Sequence, residues 1–74
     1  MSDFLLIVPE GWVSIDLEYL SFQGITADSI AGLIQSLNLT SLLECLTYYG
    51  LIEPNKAIID AKIFNNEFCI VKVI

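Results

Sequence analysis

Hydrophobic residues in the first part of this 74-residue chain follow the spacing of β-strands. Residues 4–8 form a continuous apolar run, and Val13, Ile15 and Leu17 then alternate with polar side chains. Such alternation is typical of a half-buried strand. Between the two runs, residues 8–11 (VPEG) suit a type I turn, because proline presets φ and glycine accepts the left-handed conformation. The pattern predicts an N-terminal β-hairpin.

The residues after the second run allow two interpretations. Asp16 either continues the strand or caps a short helix through the segment LEYLSFQ, which Gly24 would end. We expect a short strand as far as Ile15, followed by one or two helical turns.

The clearest helix is predicted for the segment ITADSIAGLIQSLN, where Thr26 or Asp28 can cap the first turn. Its apolar residues recur at the i, i+3, i+4 and i+7 spacing of a buried helical stripe: Ile30, Leu33, Ile34 and Leu37. Gly32 inside this helix costs about 1 kcal/mol relative to alanine. We therefore expect a neighbouring element to approach the helix closely at that glycine.

A second helix is predicted to begin at a capping box formed by Ser41 and Glu44. Its apolar stripe comprises Leu42, Cys45, Leu46 and Tyr49. Gly50 is expected to end the helix, and Pro54 forbids its continuation. Because about three residues separate the two helices, they should form a tight pair.

The C-terminal segment KAIIDAKIFNNEFCIVKVI predicts a hairpin about Asn65 and Asn66, since asparagine tolerates the left-handed conformation of hairpin loops. A two-residue loop places Ile63 opposite Phe68, and Ala61 opposite Ile70 on the same face as Ile59. We therefore predict a small single-domain α+β protein over residues 1–74. Its four-stranded antiparallel sheet, from an N-terminal and a C-terminal hairpin, packs on a central helical pair.

Composition adds a reason to expect association. Hydrophobic residues make up 55% of the chain and charged residues 16%, whereas average proteins are roughly 45–50% apolar and about 25% charged. A chain this short buries a smaller fraction of its surface than a larger protein does. Apolar side chains should therefore remain to be buried against another chain, which predicts a homo-oligomer or a larger assembly. The competing interpretation is a compact monomer with scattered exposed leucines.

Charge and residue usage exclude several classes of function. Nine acidic residues face three lysines, so the net charge is −6 and direct nucleic-acid binding is not expected. There is no histidine, and two cysteines alone do not form a zinc site. We predict no enzymatic activity, no catalytic or metal-binding residues and no cofactor. The longest apolar run is too short to span a membrane, and no basic N-terminal region indicates a signal peptide, so an intracellular location is expected.

Aromatic residues are the best candidates for a binding surface. The turn before Trp12 presents this side chain either to the core or to a partner, and a tryptophan is a typical interface anchor. If Tyr49 lies in the core, Tyr48 must point outward, because adjacent helical residues do not share a face. The candidate interface residues are Trp12, Tyr19, Phe22, Tyr48, Tyr49 and Phe64. Open sheet edges are further docking sites.

The opening LLIVPEGW, the central helical part and the closing AIIDAKIFNNEFCIVKVI together resemble small proteins encoded among the head and tail genes of tailed bacteriophages. The resemblance implies a virion or assembly protein that multimerises between larger components, in the host cytoplasm and in the virion. An alternative from the acidic charge is a small inhibitor that docks on a basic surface of a nucleic-acid-processing protein. Glu10, Asp16 and Glu18 would carry that binding.

Overall fold

The last strand of the chain occupies the centre of the sheet. The computed structural model describes residues 7–74. Its elements are β1 (Trp12–Asp16), α1 (Leu17–Phe22), α2 (Ala27–Gln35), α3 (Leu39–Tyr48), β2 (Ile58–Phe64) and β3 (Phe68–Val73). The three strands form an antiparallel sheet in the order β1-β3-β2. The predicted α+β class is therefore confirmed.

The sheet differs from the predicted pair of hairpins at its N-terminal side. β1 pairs with β3, so that Trp12 lies opposite Lys72 and Asp16 lies opposite Phe68. Residues 4–6 of the predicted first strand lie outside the described residues, and positions 7 and 8 are not part of a strand. Among residues 7–74 the sheet has three strands rather than four. β1 takes its neighbour from the far end of the chain, a pairing that local sequence spacing does not reveal.

The turn before β1 is displaced by one residue from its predicted position. The backbone N–H of Trp12 donates to the carbonyl of Pro9 at 3.1 Å, so the turn spans residues 9–12 rather than 8–11. Gly11 becomes the third residue of this turn and has φ +85°, as a type II turn requires. The left-handed conformation predicted for this glycine is confirmed, but the predicted turn register is wrong.

Asp16 ends the strand and also begins the following helix. Its Oδ1 accepts hydrogen bonds from the backbone N–H groups of Glu18 at 2.9 Å and Tyr19 at 3.3 Å. These bonds satisfy two of the free donors of the first helical turn. Gly24, with φ +89°, lies just beyond the last turn of α1. The predicted change from strand to helix and the predicted end of the helix are both confirmed.

Helix α2 is shorter than its apolar pattern predicts. Thr26 caps it, with Oγ1 accepting from the N–H of Ser29 at 3.1 Å. Leu37 lies beyond the last helical residue with φ +57°, and 79% of it is exposed, so it is not part of the buried stripe. The close approach predicted at Gly32 is also wrong, because no atom of a neighbouring element lies within 4 Å of where its Cβ would be.

Helix α3 begins earlier than predicted. Asn38 is its cap, and its side-chain Oδ1 accepts from the N–H of Ser41 at 3.3 Å. The proposed capping box at Ser41 and Glu44 is therefore wrong, because Asn38 supplies the acceptor one turn earlier. The three-residue connection to α2 and the end of the helix before Gly50, which has φ +75°, agree with the prediction.

The C-terminal hairpin forms about the predicted asparagines, but with a different register. Asn65 and Asn66 have φ values of 57° and 58°. The hairpin pairs Phe64 with Phe68 and Ala61 with Val71, one residue away from the predicted pairing. The additional loop residue, Glu67, accepts a hydrogen bond on its carbonyl from the N–H of Leu17 at 3.0 Å. Pairing of β3 with β1 therefore stabilises the observed register.

The helices and one face of the sheet enclose the core. Alternate strand residues face the helices, and this covered face includes Ile15, Cys69 and Val71, which are at most 1% exposed. The buried core cluster comprises Ile15, Leu17, Leu20, Ile30, Leu42, Leu46, Ile52, Ile58, Ala61, Cys69 and Val71. The opposite face of the sheet contributes no residue to this cluster.

Candidate interaction surface

The sheet face that points away from the core cluster is the main candidate surface, and we refer to it as the open face. Because side chains alternate along a strand, every second residue of each strand belongs to it. The open face comprises Trp12, Ser14 and Asp16 of β1, Phe68, Ile70 and Lys72 of β3, and Asp60, Lys62 and Phe64 of β2.

A hollow of about 250 Å³ lies on the open face beside Trp12. Ile70 forms part of its lining and is only 5% exposed, although it is absent from the helix-side core. The Nζ of Lys62 lies 5.5 Å from the centroid of the Trp12 ring, within the range of a cation–π interaction. Ile7 and Pro9 also line the hollow, so the chain entering β1 borders the same surface.

Trp12 and Phe64 are the two predicted interface residues that the fold brings to the open face. Trp12 is half-buried and does not belong to the helix-side core, and Phe64 is 41% exposed. Trp12 thus lies outside the core cluster but lines the same hollow as the buried Ile70, so a core contact and a partner contact both remain predictions for this side chain. Both side chains combine a large apolar area with a rigid ring, as interface anchors do.

Ile70, Phe68 and Lys72 are open-face residues that sequence reasoning missed. The predicted hairpin register placed Ile70 on the same face as Ala61 and Ile59. A shift of one residue moves every side chain of a strand to the opposite face, so the observed register reverses β3. Alternation within the segment FCIVKV was the available signal, but the pattern does not say which set of residues faces the helices.

The open face differs in charge from the rest of the protein. The charges of Lys62 and Lys72 balance those of Asp16 and Asp60 on this face. Elsewhere in residues 7–74, Lys56 is the single lysine among acidic residues: Glu10, Glu18, Asp28, Glu44, Glu53 and Glu67. A surface without net charge can approach another copy of an acidic protein with less repulsion than the remaining surface.

Tyr19 and Phe22 form a separate aromatic pair on α1. Their spacing of three residues places them on neighbouring positions of the helix surface. Tyr19 is 42% exposed and Phe22 is 80% exposed. Neither lines the hollow beside Trp12.

Tyr48 and Tyr49 occupy a third location at the end of α3. Their rings meet edge to face with centroids 4.9 Å apart. Tyr48 is 81% exposed, whereas Tyr49 packs against the core cluster, as expected for adjacent helical residues. Tyr48 lines a shallow groove together with Glu44 and Lys56. The six predicted aromatic residues are therefore distributed over three places.

The acidic residues of the alternative hypothesis do not form one patch. Glu10 lies in the turn before β1, whereas Asp16 and Glu18 lie at the other end of this strand. The five residues of β1 separate the two ends by about 13 Å. The carboxylate of Asp16 is also occupied by the N–H groups at the start of α1.

Both cysteines are free thiols whose chemistry is suppressed by their surroundings. Burial raises the pKa of Cys69 to about 11, and it also raises the pKa of the half-buried Cys45. Both groups are therefore protonated near neutral pH, and the thiol form is a poor nucleophile and metal ligand. Over residues 7–74, no group of three or more side chains is arranged to hold a metal ion.

Comparison of the chain with protein-family models, with curated proteins and with solved structures finds no match. In the part of the chain that the structure describes, no helix is both long and apolar enough to cross a membrane.

Proposed function

We propose that this protein is a non-enzymatic interaction module that multimerises through the open face of its sheet. The resemblance to head and tail proteins of tailed bacteriophages gives this proposal its biological setting, a virion or assembly component. In that role the protein fits between larger components and needs no catalytic residue or cofactor.

The hollow beside Trp12 is the observation that carries the proposal. Its lining combines the rings of Trp12 and Phe64 with the apolar side chain of Ile70. A large aromatic residue beside a desolvated apolar position is the usual composition of an interface hot spot. The helices lie against the opposite face, so no helix of residues 7–74 covers this surface.

The charge distribution supports a copy of the same chain as that partner. The net charge of −6 opposes close approach of two copies at most of their surface. The open face avoids this repulsion because its two lysines and two aspartates balance. Opposite charges on the same face can also pair across a two-fold interface, where each copy presents both signs.

Light scattering over a range of protein concentrations, with Trp12→Ala as the variant, tests this function. We expect the wild type to form a discrete oligomer, and we expect Trp12→Ala to raise its dissociation constant at least about tenfold, equivalent to roughly 1.4 kcal/mol. Phe22→Ala is the matched control, since Phe22 is an exposed aromatic residue away from the open face. It should leave association unchanged. Circular dichroism verifies that both variants fold.

Two results would overturn the proposal. One is a folded Trp12→Ala protein that associates as strongly as the wild type. The other is a wild-type monomer at every concentration, which would favour the acidic inhibitor. That alternative predicts binding to a basic protein that weakens as salt rises, because screening acts on exposed charges.

A further inference from the structure

The two edges of the sheet differ in how their backbone groups are protected. β1 and β2 are the outer strands, with β3 between them. An edge strand presents unpaired N–H and C=O groups to which another strand can bind. In the part of the chain that the structure describes, the pairing of β2 with β3 is irregular, whereas the pairing of β1 with β3 is regular.

Hydrogen bonds at both ends of β1 establish which of its backbone groups point outward. The carbonyl of Gly11 accepts from the N–H of Val73 at 2.8 Å, and the N–H of Leu17 donates to the carbonyl of Glu67 at 3.0 Å. Backbone groups of alternate residues in an antiparallel pair point to the same side. The backbone groups of even-numbered β1 residues therefore point away from β3.

The outward backbone groups of β1 include both hydrogen-bond donors and acceptors, so two antiparallel copies of this strand are complementary. Ser14 presents both its N–H and its carbonyl, Trp12 presents its carbonyl, and Asp16 presents its N–H. The N–H of Trp12 is already used in the turn with Pro9. No strand of the described sheet lies on this side of β1.

The β2 edge is obstructed. The Oδ1 of Asp60 accepts from the N–H of Ala61 at 2.9 Å, so a carboxylate occupies a donor that an added strand would need. The pairing of β2 with β3 is also irregular between Ile58 and Asp60. A bulge and a charged edge side chain are both features that prevent pairing between sheet edges.

We propose that β1 pairs in antiparallel fashion with β1 of a second copy, about a two-fold axis at Ser14. This inference rests on the proposed multimerising function and specifies its partner and geometry. Ser14 exchanges two hydrogen bonds with Ser14 of the partner subunit. The N–H of Asp16 donates to the carbonyl of Trp12 of the partner subunit, and symmetry repeats this bond. Four hydrogen bonds join the two sheets into one of six strands, with the open faces side by side.

Side-chain positions are compatible with this pairing. Asp16 lies opposite Trp12 of the partner subunit, and the two Asp16 carboxylates are separated by about four residues of strand, roughly 13 Å. On the covered face, Val13 lies opposite Ile15 of the partner subunit, so two β-branched side chains meet. The pairing therefore places no like charges directly opposite each other.

Ser14→Pro tests the proposed pairing, with Ser14→Ala as its matched control. Proline removes the backbone N–H, and at an edge position whose N–H points outward the fold can retain it. We expect Ser14→Pro to weaken dimerisation at least tenfold in light scattering, equivalent to about 1.4 kcal/mol. Ser14→Ala retains the N–H and should dimerise like the wild type.

Cross-linking of Ser14→Cys provides a second test that does not depend on the proline variant folding. Hydrogen-bonded residues of an antiparallel pair have Cα atoms about 5.5 Å apart, within the range that a disulfide spans. Mild oxidation should therefore give a covalent dimer of Ser14→Cys. Ser21→Cys, an exposed serine on α1, should remain monomeric under the same conditions.

The outcomes separate this inference from the proposed function. One outcome begins with a wild-type oligomer that Trp12→Ala weakens. If the Ser14→Cys variant then gives no cross-linked dimer and a folded Ser14→Pro protein associates like the wild type, the edge pairing is overturned and the proposed function stands. A Ser14→Cys variant that remains monomeric also overturns the edge pairing. A thiol that then reacts with a maleimide much more slowly than that of Ser21→Cys would show that the chain's own residues cover position 14.

Discussion

The two faces of the sheet are built from the same three strands, yet they differ in what covers them. On the covered face, Ile15 and Val71 are buried beneath the helices with exposures of 1% and 0%. On the open face, Ile70 is 5% exposed and shares the lining of the hollow with side chains of the sheet and with Ile7 and Pro9 of the chain entering β1. The covered face belongs to the protein core, whereas no helix of the described residues lies over the open face.

This difference agrees with the proposed division of the apolar residues between stability and association. A chain of 74 residues has too little volume to bury both faces of a sheet with three short helices. The helices cover one face, and the large side chains on the other face remain partly exposed. We infer that stability depends mainly on the covered face and that association depends on the open face.

The sharpest test of this division compares Ile15→Ala with Ile70→Ala. Removing Ile15 leaves a cavity among residues that cannot collapse into it, so we expect a loss of about 2–5 kcal/mol in the free energy of unfolding. Removing Ile70 opens a site that neighbouring side chains and water can fill, and we expect a loss no greater than the lower end of that range, about 2 kcal/mol. Urea denaturation at a concentration where the protein is monomeric measures both values. Equal losses would contradict the division.

The pH dependence of the free energy of unfolding tests the burial of Cys69 on the covered face. Because burial raises the pKa of Cys69 to about 11, the folded state retains a proton that the unfolded state loses from about pH 9. Stability should therefore fall as pH rises from 9 to 11, by an amount on the order of 2–3 kcal/mol.

The measurement is the difference in the free energy of unfolding between wild type and Cys69→Ala at each pH, which cancels the titration of other groups. Cys45→Ala is the control and should reduce the pH dependence less, since Cys45 is only half-buried. A pH dependence unchanged by Cys69→Ala would contradict this expectation.

A smaller effect on stability is expected at the residue that follows helix α2, one of the helices that pack on the covered face. Each helix is followed by a residue with positive φ, and at two of these positions the residue is Gly24 or Gly50. The third is Leu37, with φ +57° and an exposed side chain. Leu37→Gly should raise the free energy of unfolding by about 1 kcal/mol, because glycine adopts this conformation without strain. Leu37→Ala keeps the Cβ and should leave stability nearly unchanged in the same denaturation assay. A gain from alanine as large as that from glycine would assign the effect to the side chain instead.

Local features of the chain could be predicted well. The left-handed conformations of Gly11, Gly24 and Gly50 follow from steric rules that concern one residue and its neighbours. The same is true of Asp16 and Thr26 as helix caps, because a side-chain acceptor needs only the next few backbone donors. The helix pair and its short connection were correct for the same reason.

Predictions that required a choice between competing local signals were less accurate. Ser41 and Glu44 matched the pattern of a capping box, but Asn38 offered an acceptor one turn earlier. Leu37 fitted the apolar period of α2, yet the helix ended before it. In both cases the residues matched a sequence pattern, but they do not have the structural role that the pattern predicts.

For the candidate site, the sequence identified the aromatic residues but not their grouping. Trp12 and Phe64 share the open face only because β1 and β2 flank β3, and this strand order joins segments from opposite ends of the chain. Phe22 and Tyr48 remain on separate helices. Composition can therefore indicate that apolar residues are in surplus, but not where they gather.

The sequence by itself determined the element types, most of the turns and the α+β class, since these depend on backbone sterics and on short-range periodicity. Tertiary structure alone decided that β1 pairs with β3, and it decided the register that places Ile70 on the open face. The physical reason is that any strand can pair with several others at similar local cost. The choice depends on contacts with remote residues, such as the bond from Leu17 to the Glu67 carbonyl, which no local pattern specifies.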